Sequence, residues 1–136
     1  MKQITEKRFK LFYDSCISAI DRLGLHGWYI EIGKGDTGCN FATSKGDNVA
    51  RRADITINKN DSHSCDADIV DTAYHEVCEV LLSKIEAVYK TREGFDDYDL
   101  WVKFCEGERH EIIQRICKLL KYIKILEDKI DAKRKR

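Results

Sequence analysis

The stretch Tyr74-His75-Glu76-Val77-Cys78-Glu79-Val80-Leu81-Leu82 decides how this chain is to be read. Its apolar residues recur at helical spacing, and His75 and Glu79, four apart, then share one face of the helix one turn from each other. In the H-E-x-x-H arrangement two ligands so spaced hold a divalent ion, while the intervening glutamate handles the proton of the activated water. Here the second histidine is a glutamate. His75 and Glu79 are the candidate ligand pair and Glu76 the candidate base, since carboxylate oxygen is an acceptable zinc ligand at about 2.0–2.2 Å.

On a helical wheel Ile69, Ala73, Val77, Val80 and Leu81 form one apolar arc, and His75, Glu76 and Glu79 gather beside it. A metal site needs that placement, at the seam between buried and wet faces, where the core holds the ligands and water reaches the ion. An ordinary surface helix in a chain that is 35% charged gives the same wheel, with His75 and Glu79 as an i,i+4 ion pair. The helix is expected to start at a cap formed by Asp66 or Asp68 and to run to about Tyr89.

Upstream, Phe9, Phe12, Tyr13, Cys16, Ile17, Ile20 and Leu23 recur at three- and four-residue steps. They predict an amphipathic helix from Thr5, its N-cap, to Leu23, ended by Gly24. Trp28, Ile30 and Ile32 alternate with polar neighbours as a strand bounded by Gly27 and Gly33. Gly33 to Gly38 is expected to be a turn, because it lacks the G-K-[ST] ending of a phosphate cradle. Cys39, Phe41 and Thr43 alternate weakly as a second strand, and Ser44 to Asn48 reads as a polar loop. A third strand carries Ala53, Ile55 and Ile57 on one face.

Downstream, a loop from Lys90 to Asp99 leads into a long final helix marked by Trp101, Cys105, Ile112, Ile116, Leu119 and Ile123. There is no proline, no internal repeat and no low-complexity block. The order of helix, three short strands, helix and helix predicts an α+β fold in a single domain over residues 1–132, with a basic tail at 133–136.

The 24 basic and 24 acidic residues cancel, so no global field favours nucleic acid, and the tail Lys133-Arg134-Lys135-Arg136 is the only concentrated basic run. No apolar run approaches a membrane span, and no secretory apolar segment follows the first residues, so a cytoplasmic protein is expected. The six cysteines are scattered without a C-x-x-C pair, which argues against a thiolate zinc site and for reduced thiols. Among lesser candidates, His63 and Cys65 form a lone H-x-C in a polar loop, and His26 reads as a turn residue. Asp68 or Asp71 is a candidate acceptor for the His75 imidazole, and Tyr74 a packing residue.

Taken together, the first helix, W-x-I-x-I, a glycine-rich turn, Arg51-Arg52-Ala53-Asp54-Ile55-Thr56-Ile57, the His-Glu helix and the Glu/His-rich start of a long helix resemble the small zincin-like metallopeptidases of bacteriophages and prophages. The resemblance spans roughly Phe9 to Leu120. It implies a sheet packed on the motif helix, Zn²⁺ as cofactor, a peptide or protein as substrate, and the strand Ala53 to Ile57 as a template for an extended peptide through edge pairing. It also implies a third ligand from the later helix, within Cys105 to Glu111. Glu108 and His110 compete for that role. Glu108 lies closer to the face carrying Ile112, Ile116 and Leu119, whereas His110 restores two histidines and one carboxylate and brings less negative charge to the ion, which favours it. The implied function is zinc-dependent peptide hydrolysis with Glu76 as base. Glu79 departs from the family at a ligand, and the alternative is a catalytically inactive relative that binds a host or phage protein.

Overall fold

The structure is a computed structural model; it describes the backbone of residues 2–47, 49–90 and 98–135, and their side chains apart from 84–90, 98–105 and 108. The elements follow as α1 (Glu6–Arg22), β1 (Tyr29–Gly35), β2 (Ala42–Asp47), β3 (Arg52–Asn58), α2 (Asp66–Lys90) and α3 (Tyr98–Arg134). This is an α+β fold of three helices and a three-stranded mixed sheet. No helix among the described residues is long and apolar enough to cross a membrane.

Helix α1 begins where the Thr5 hydroxyl accepts a hydrogen bond from the Arg8 amide at 3.2 Å, satisfying one of the donors that a helix start leaves over. It ends at Gly24, whose φ of 67° only glycine adopts without penalty. There the Gly24 amide donates to the Asp21 carbonyl and the Leu25 amide to the Ile20 carbonyl, the paired closure of a Schellman motif. Phe12, Cys16 and Ala19 are fully buried, but Tyr13 and Ile17 are exposed. The periodicity placed all of these on one face, and the outer two turn away from the core.

The sheet order is β1-β3-β2, with β1 parallel and β2 antiparallel to β3. The expected inner face of β3 is borne out, since Ala53, Ile55 and Ile57 are buried. Its expected role as an edge is not: both of its sides are hydrogen-bonded to neighbours, which leaves no ladder groups for an added peptide. The glycine-rich segment is likewise corrected, because β1 continues through Gly33 to Gly35 in register with β3 as far as Asn58. So is the polar loop Ser44 to Asn48: Ser44 to Asp47 belong to β2, the exposed strand that β3 recruits by backbone pairing. The intervening crossing is tied down by Asn58, whose side-chain amide donates to the carbonyls of Gly38 at 3.1 Å and Asn40 at 2.9 Å.

One core joins Phe12, Cys16 and Ala19 of α1, Ile55 and Ile57 of β3, and Ile69, Ala73, Val77 and Val80 of α2. Each fully buried large aliphatic or aromatic side chain contributes about 1.5–3 kcal/mol. Helix α2 starts at Asp66, and Asp68 reaches back to accept the amides of Ser64 and Cys65, each at 3.0 Å, which is the reciprocal half of a capping box. The Asp68 carboxyl is accordingly held below the usual carboxylate range, first by the Cys65 amide. Near its middle α2 presses on β2, where a Cβ added at Gly46 would meet Ser83 Oγ at 3.1 Å.

Helix α3 packs on α2 through Ile113, which is fully buried beside Cys78 and Leu82, and through Leu120, which joins the main core. The stripe read from the sequence is borne out at Ile116, which packs on both groups of core residues, but Ile112 and Leu119 are exposed, and Ile113 and Leu120 face inward instead. Arg22 to Glu127 at 2.6 Å and Lys121 to Asp71 at 2.5 Å pin α3 to α1 and α2. The helix extends through Lys133 and Arg134, whose cationic side chains suit the negative end of its dipole. The loop expected from Lys90 to Asp99 is narrower, since Lys90 belongs to α2 and Tyr98 and Asp99 to α3; residues 91–97 and the side chains of Trp101 and Cys105 lie outside the described residues.

Candidate metal centre

The long helix α2 carries His75, Glu76 and Glu79 past the sheet and the start of α3. His75 Nε2 lies 3.4 Å from Glu79 Oε1, as the i,i+4 spacing requires. From α3, His110 Nδ1 approaches the same oxygen at 3.9 Å. The two imidazoles lie nearly parallel, with centroids 5.7 Å apart. One ligand atom from each of the three residues falls within 4.8 Å of the others, the one such set among the described residues.

Those separations can be compared with what an ion demands. Tetrahedral coordination at about 2.0–2.1 Å spaces neighbouring ligand atoms about 3.3 Å apart. The His75–Glu79 pair already meets that spacing, and His110, half exposed on the helix surface and within 4.8 Å of both partners' ligand atoms, needs a side-chain shift of up to about 1.5 Å. Two imidazoles and one carboxylate form a donor set suited to zinc and to other transition metals. The residues therefore fit a divalent ion.

Glu79 is also held by a cation that the sequence reading missed. Arg109 Nη1 lies 2.8 Å from Glu79 Oε2, and both side chains are largely buried. The guanidinium thus occupies one carboxylate oxygen and leaves the other facing the imidazoles. Burial opposes ionisation of Glu79, yet the His75 hydrogen bond and the charges of Arg109, His75 and His110 outweigh it and hold the carboxyl below its ordinary range. The same bond raises the His75 imidazole above its ordinary value against the effect of burial.

Glu76 points elsewhere in the same neighbourhood. It is 8% exposed, and burial pushes its carboxyl up, partly offset by a hydrogen bond with the Ser44 side chain on β2 and by the His75 charge. Together with His75 it lines a cleft of about 360 Å³, with Phe41 and Ala42 on one wall and Asp71 and Thr72 on the other. The cleft runs between α2 and the start of β2, the strand whose outer side is unpaired in the sheet among the described residues.

The other sequence candidates fall away from this centre. His63 is buried, its ring tilted against that of Phe41 at a centroid distance of 4.9 Å and set between Asp61 and Thr72. Cys65 is exposed. Asp68 caps α2, and Asp71 pairs with Lys121 rather than with His75. His26 sits on the surface beside Asp21. Tyr74 packs, as expected, with its hydroxyl 3.2 Å from that of Ser18. The side chain of Glu108 lies outside the described residues, so of the two competing third ligands it is His110 that is seen at the site. Cys78 and Cys117 are free thiols with Sγ atoms 4.0 Å apart, joining α2 to α3 near the cluster.

Arg109 had a signal in the sequence. It lies four residues before Ile113 and seven before Ile116, both of which pack toward α2, so its helical position already turns it to that side. Comparison with protein-family models, with characterised proteins and with solved structures gives no match to this chain.

Proposed function

We propose that this protein is a zinc-dependent peptidase of zincin-like organisation. The observation that carries the reading is the convergence of His75, Glu79 and His110 from two helices beside the buried Glu76. When bound, zinc would act as a Lewis acid on the scissile carbonyl and raise the acidity of the attacking water. Glu76 is the proton carrier: burial raises its proton affinity, which suits a group that must first take a proton from water and then deliver it to the leaving amine. The Ser44 side chain steadies that carboxyl from the neighbouring strand. Arg109 fixes the Glu79 carboxylate so that one oxygen stays turned to the imidazoles.

Substrate would lie along β2 rather than β3. An extended peptide could pair with the outer edge of Ala42 to Asp47 and bring its backbone past Phe41, His75 and Glu76. The decisive experiment compares wild type with Glu76→Gln for zinc content and for cleavage of an unfolded protein. The variant is expected to keep its metal and lose cleavage by at least about a hundredfold, in the range of a general-base contribution. Cleavage at the wild-type rate would overturn the assignment.

One observation favours a second reading. The Arg109–Glu79 ion pair neutralises the carboxylate without any metal, and a chain using it in that way would keep the cleft and the β2 edge as a peptide-binding module without hydrolysis. Purified protein with no bound zinc, and no affinity for it, would select this reading.

A further inference from the structure

The exposed side of α3 carries a second apolar stripe, which the body of the protein uses only at its border, through Ile116. Ile112, Ile116, Leu119, Ile123, Leu126 and Ile130 follow one another at steps of four, three, four, three and four residues. This is an unbroken heptad pattern, with isoleucine at 116, 123 and 130 in the a positions and Leu119, Leu126 and Ile112 in the d positions. Ile112 is 42% exposed, Leu119 58%, Leu126 40% and Ile130 50%, and Tyr122 beside them is 59% exposed. The inward stripe, through Ile113 and Leu120, lies about a quarter turn away. Helix α3 thus has one apolar face satisfied by α2 and another that borders it at Ile116 and is left to solvent at Ile112, Leu119, Leu126 and Ile130.

We infer that this stripe pairs with the same stripe of a second copy of the chain, forming a two-stranded coiled coil. The spacing carries the choice of partner. A straight helix drifts by about 20° per heptad from a strict 3.5-residue repeat, so a repeat kept over six positions serves a seam around which helices wind on each other. Isoleucine at a with leucine at d is the combination that favours two strands, and each layer then packs a side chain against its own copy. The surface is large enough to matter. The exposed apolar residues offer on the order of 500 Å² per protomer, so pairing would bury on the order of 1,000 Å² in total, at the lower end for a specific interface. A lone monomer would instead carry one of the larger apolar patches expected on any soluble domain.

The geometry leaves room for the pairing. The body covers the flank of Ile113 and Leu120, while the opposite flank, with Arg115, Tyr122 and Lys129, is open. Lys118, Lys124, Asp128 and Asp131 lie on the far side of the helix from the seam and remain solvated. His110 precedes the seam, so the inference does not depend on the proposed activity.

Sedimentation of the full chain over a concentration series tests it. Wild type is expected to move from monomer to dimer as concentration rises, and Leu119→Lys with Leu126→Lys to remain monomeric while keeping the wild-type circular dichroism spectrum. Should that pair of changes disturb folding, Ile130→Lys, at the distal end of the seam, is expected to weaken the dimer at least about tenfold, or about 1.4 kcal/mol. A wild type that stays monomeric throughout overturns the inference, as does a dimer indifferent to Ile130→Lys, or a monomer whose stripe is covered by phospholipid vesicles instead.

Discussion

Two clusters in this molecule are built from the same three kinds of side chain and behave differently. At the first, Asp61 meets Arg8 at 2.6 Å and the His63 amide at 3.2 Å, with the His63 ring 3.4 Å away and almost fully buried. Arg8 also reaches Asp66 and the His63 carbonyl. Arg8 and the His63 amide donate to acceptors there, only the buried His63 Nδ1 making no hydrogen bond, and the result is a staple between α1 and the loop before α2. At the second, Glu79 meets Arg109 through one oxygen and offers the other to two imidazoles, one of them half exposed. Aspartate or glutamate with arginine and histidine is therefore no signature of function by itself. What distinguishes the second cluster is that three potential ligand atoms lie within 4.8 Å of one another with solvent access, so that an ion could replace their mutual contacts.

That contrast can be broken from either side. Asp61→Ala removes the nearest partner of Arg8 and the acceptor of the His63 amide, and a clear drop in the urea midpoint is expected, with zinc affinity unchanged. Glu79→Gln keeps the shape and the contact with Arg109 but removes the charge. It should lower zinc affinity by about a hundredfold, equivalent to about 2.7 kcal/mol, while altering unfolding far less. If the two variants exchanged these effects, the roles assigned to the clusters would be reversed.

Arg109→Gln sharpens the comparison. A unit charge a few ångströms from a divalent ion repels it by more than about 1.4 kcal/mol even at an effective dielectric constant near 20, so calorimetry should show zinc binding at least about tenfold tighter. Weaker binding would mean that Arg109 matters more for orienting Glu79 than for repelling the ion.

The Asp61 brace also has a pH signature. Burial works against its carboxylate, but the Arg8 hydrogen bond and the His63 amide prevail and hold its carboxyl below the usual range. Its contribution is therefore complete above the ordinary carboxylate value and is lost as pH falls through the lowered one, where the unfolded chain binds more protons. Acid titration of stability should show that loss in wild type, and a shallower slope in Asp61→Asn. The smallest expected effect is that of Thr5→Ala, about 1 kcal/mol from the loss of the α1 cap, read as a lower Tm.

Much of this was legible in the sequence. The caps at Thr5 and Gly24, the inward face of β3 and the i,i+4 juxtaposition of His75 and Glu79 are local consequences of residue type and spacing. Two features were not local. Ser44 to Asp47 show no apolar alternation, and their strand exists because β3 needed a partner on that side; no window of sequence reports that demand. Helix α3 defeated periodicity for the opposite reason, having two apolar stripes where one was sought. Choosing 112, 116, 119 and 123 mixed the two: Ile116 packs on α2 in phase with Arg109, whereas Ile112 and Leu119 are left to solvent. His110 was reached by charge reasoning instead, and the position of its ring beside His75 agrees with that argument.

The ligand set itself is tested most directly by calorimetric titration of Zn²⁺ into chelator-treated protein, comparing wild type with His110→Ala and with His26→Ala as a surface control. One ion per chain is expected for wild type and His26→Ala, with affinity falling at least about tenfold, by 1.4 kcal/mol or more, in His110→Ala. An absence of binding in wild type, or equal affinity in all three proteins, would contradict a metal centre formed by His75, Glu79 and His110.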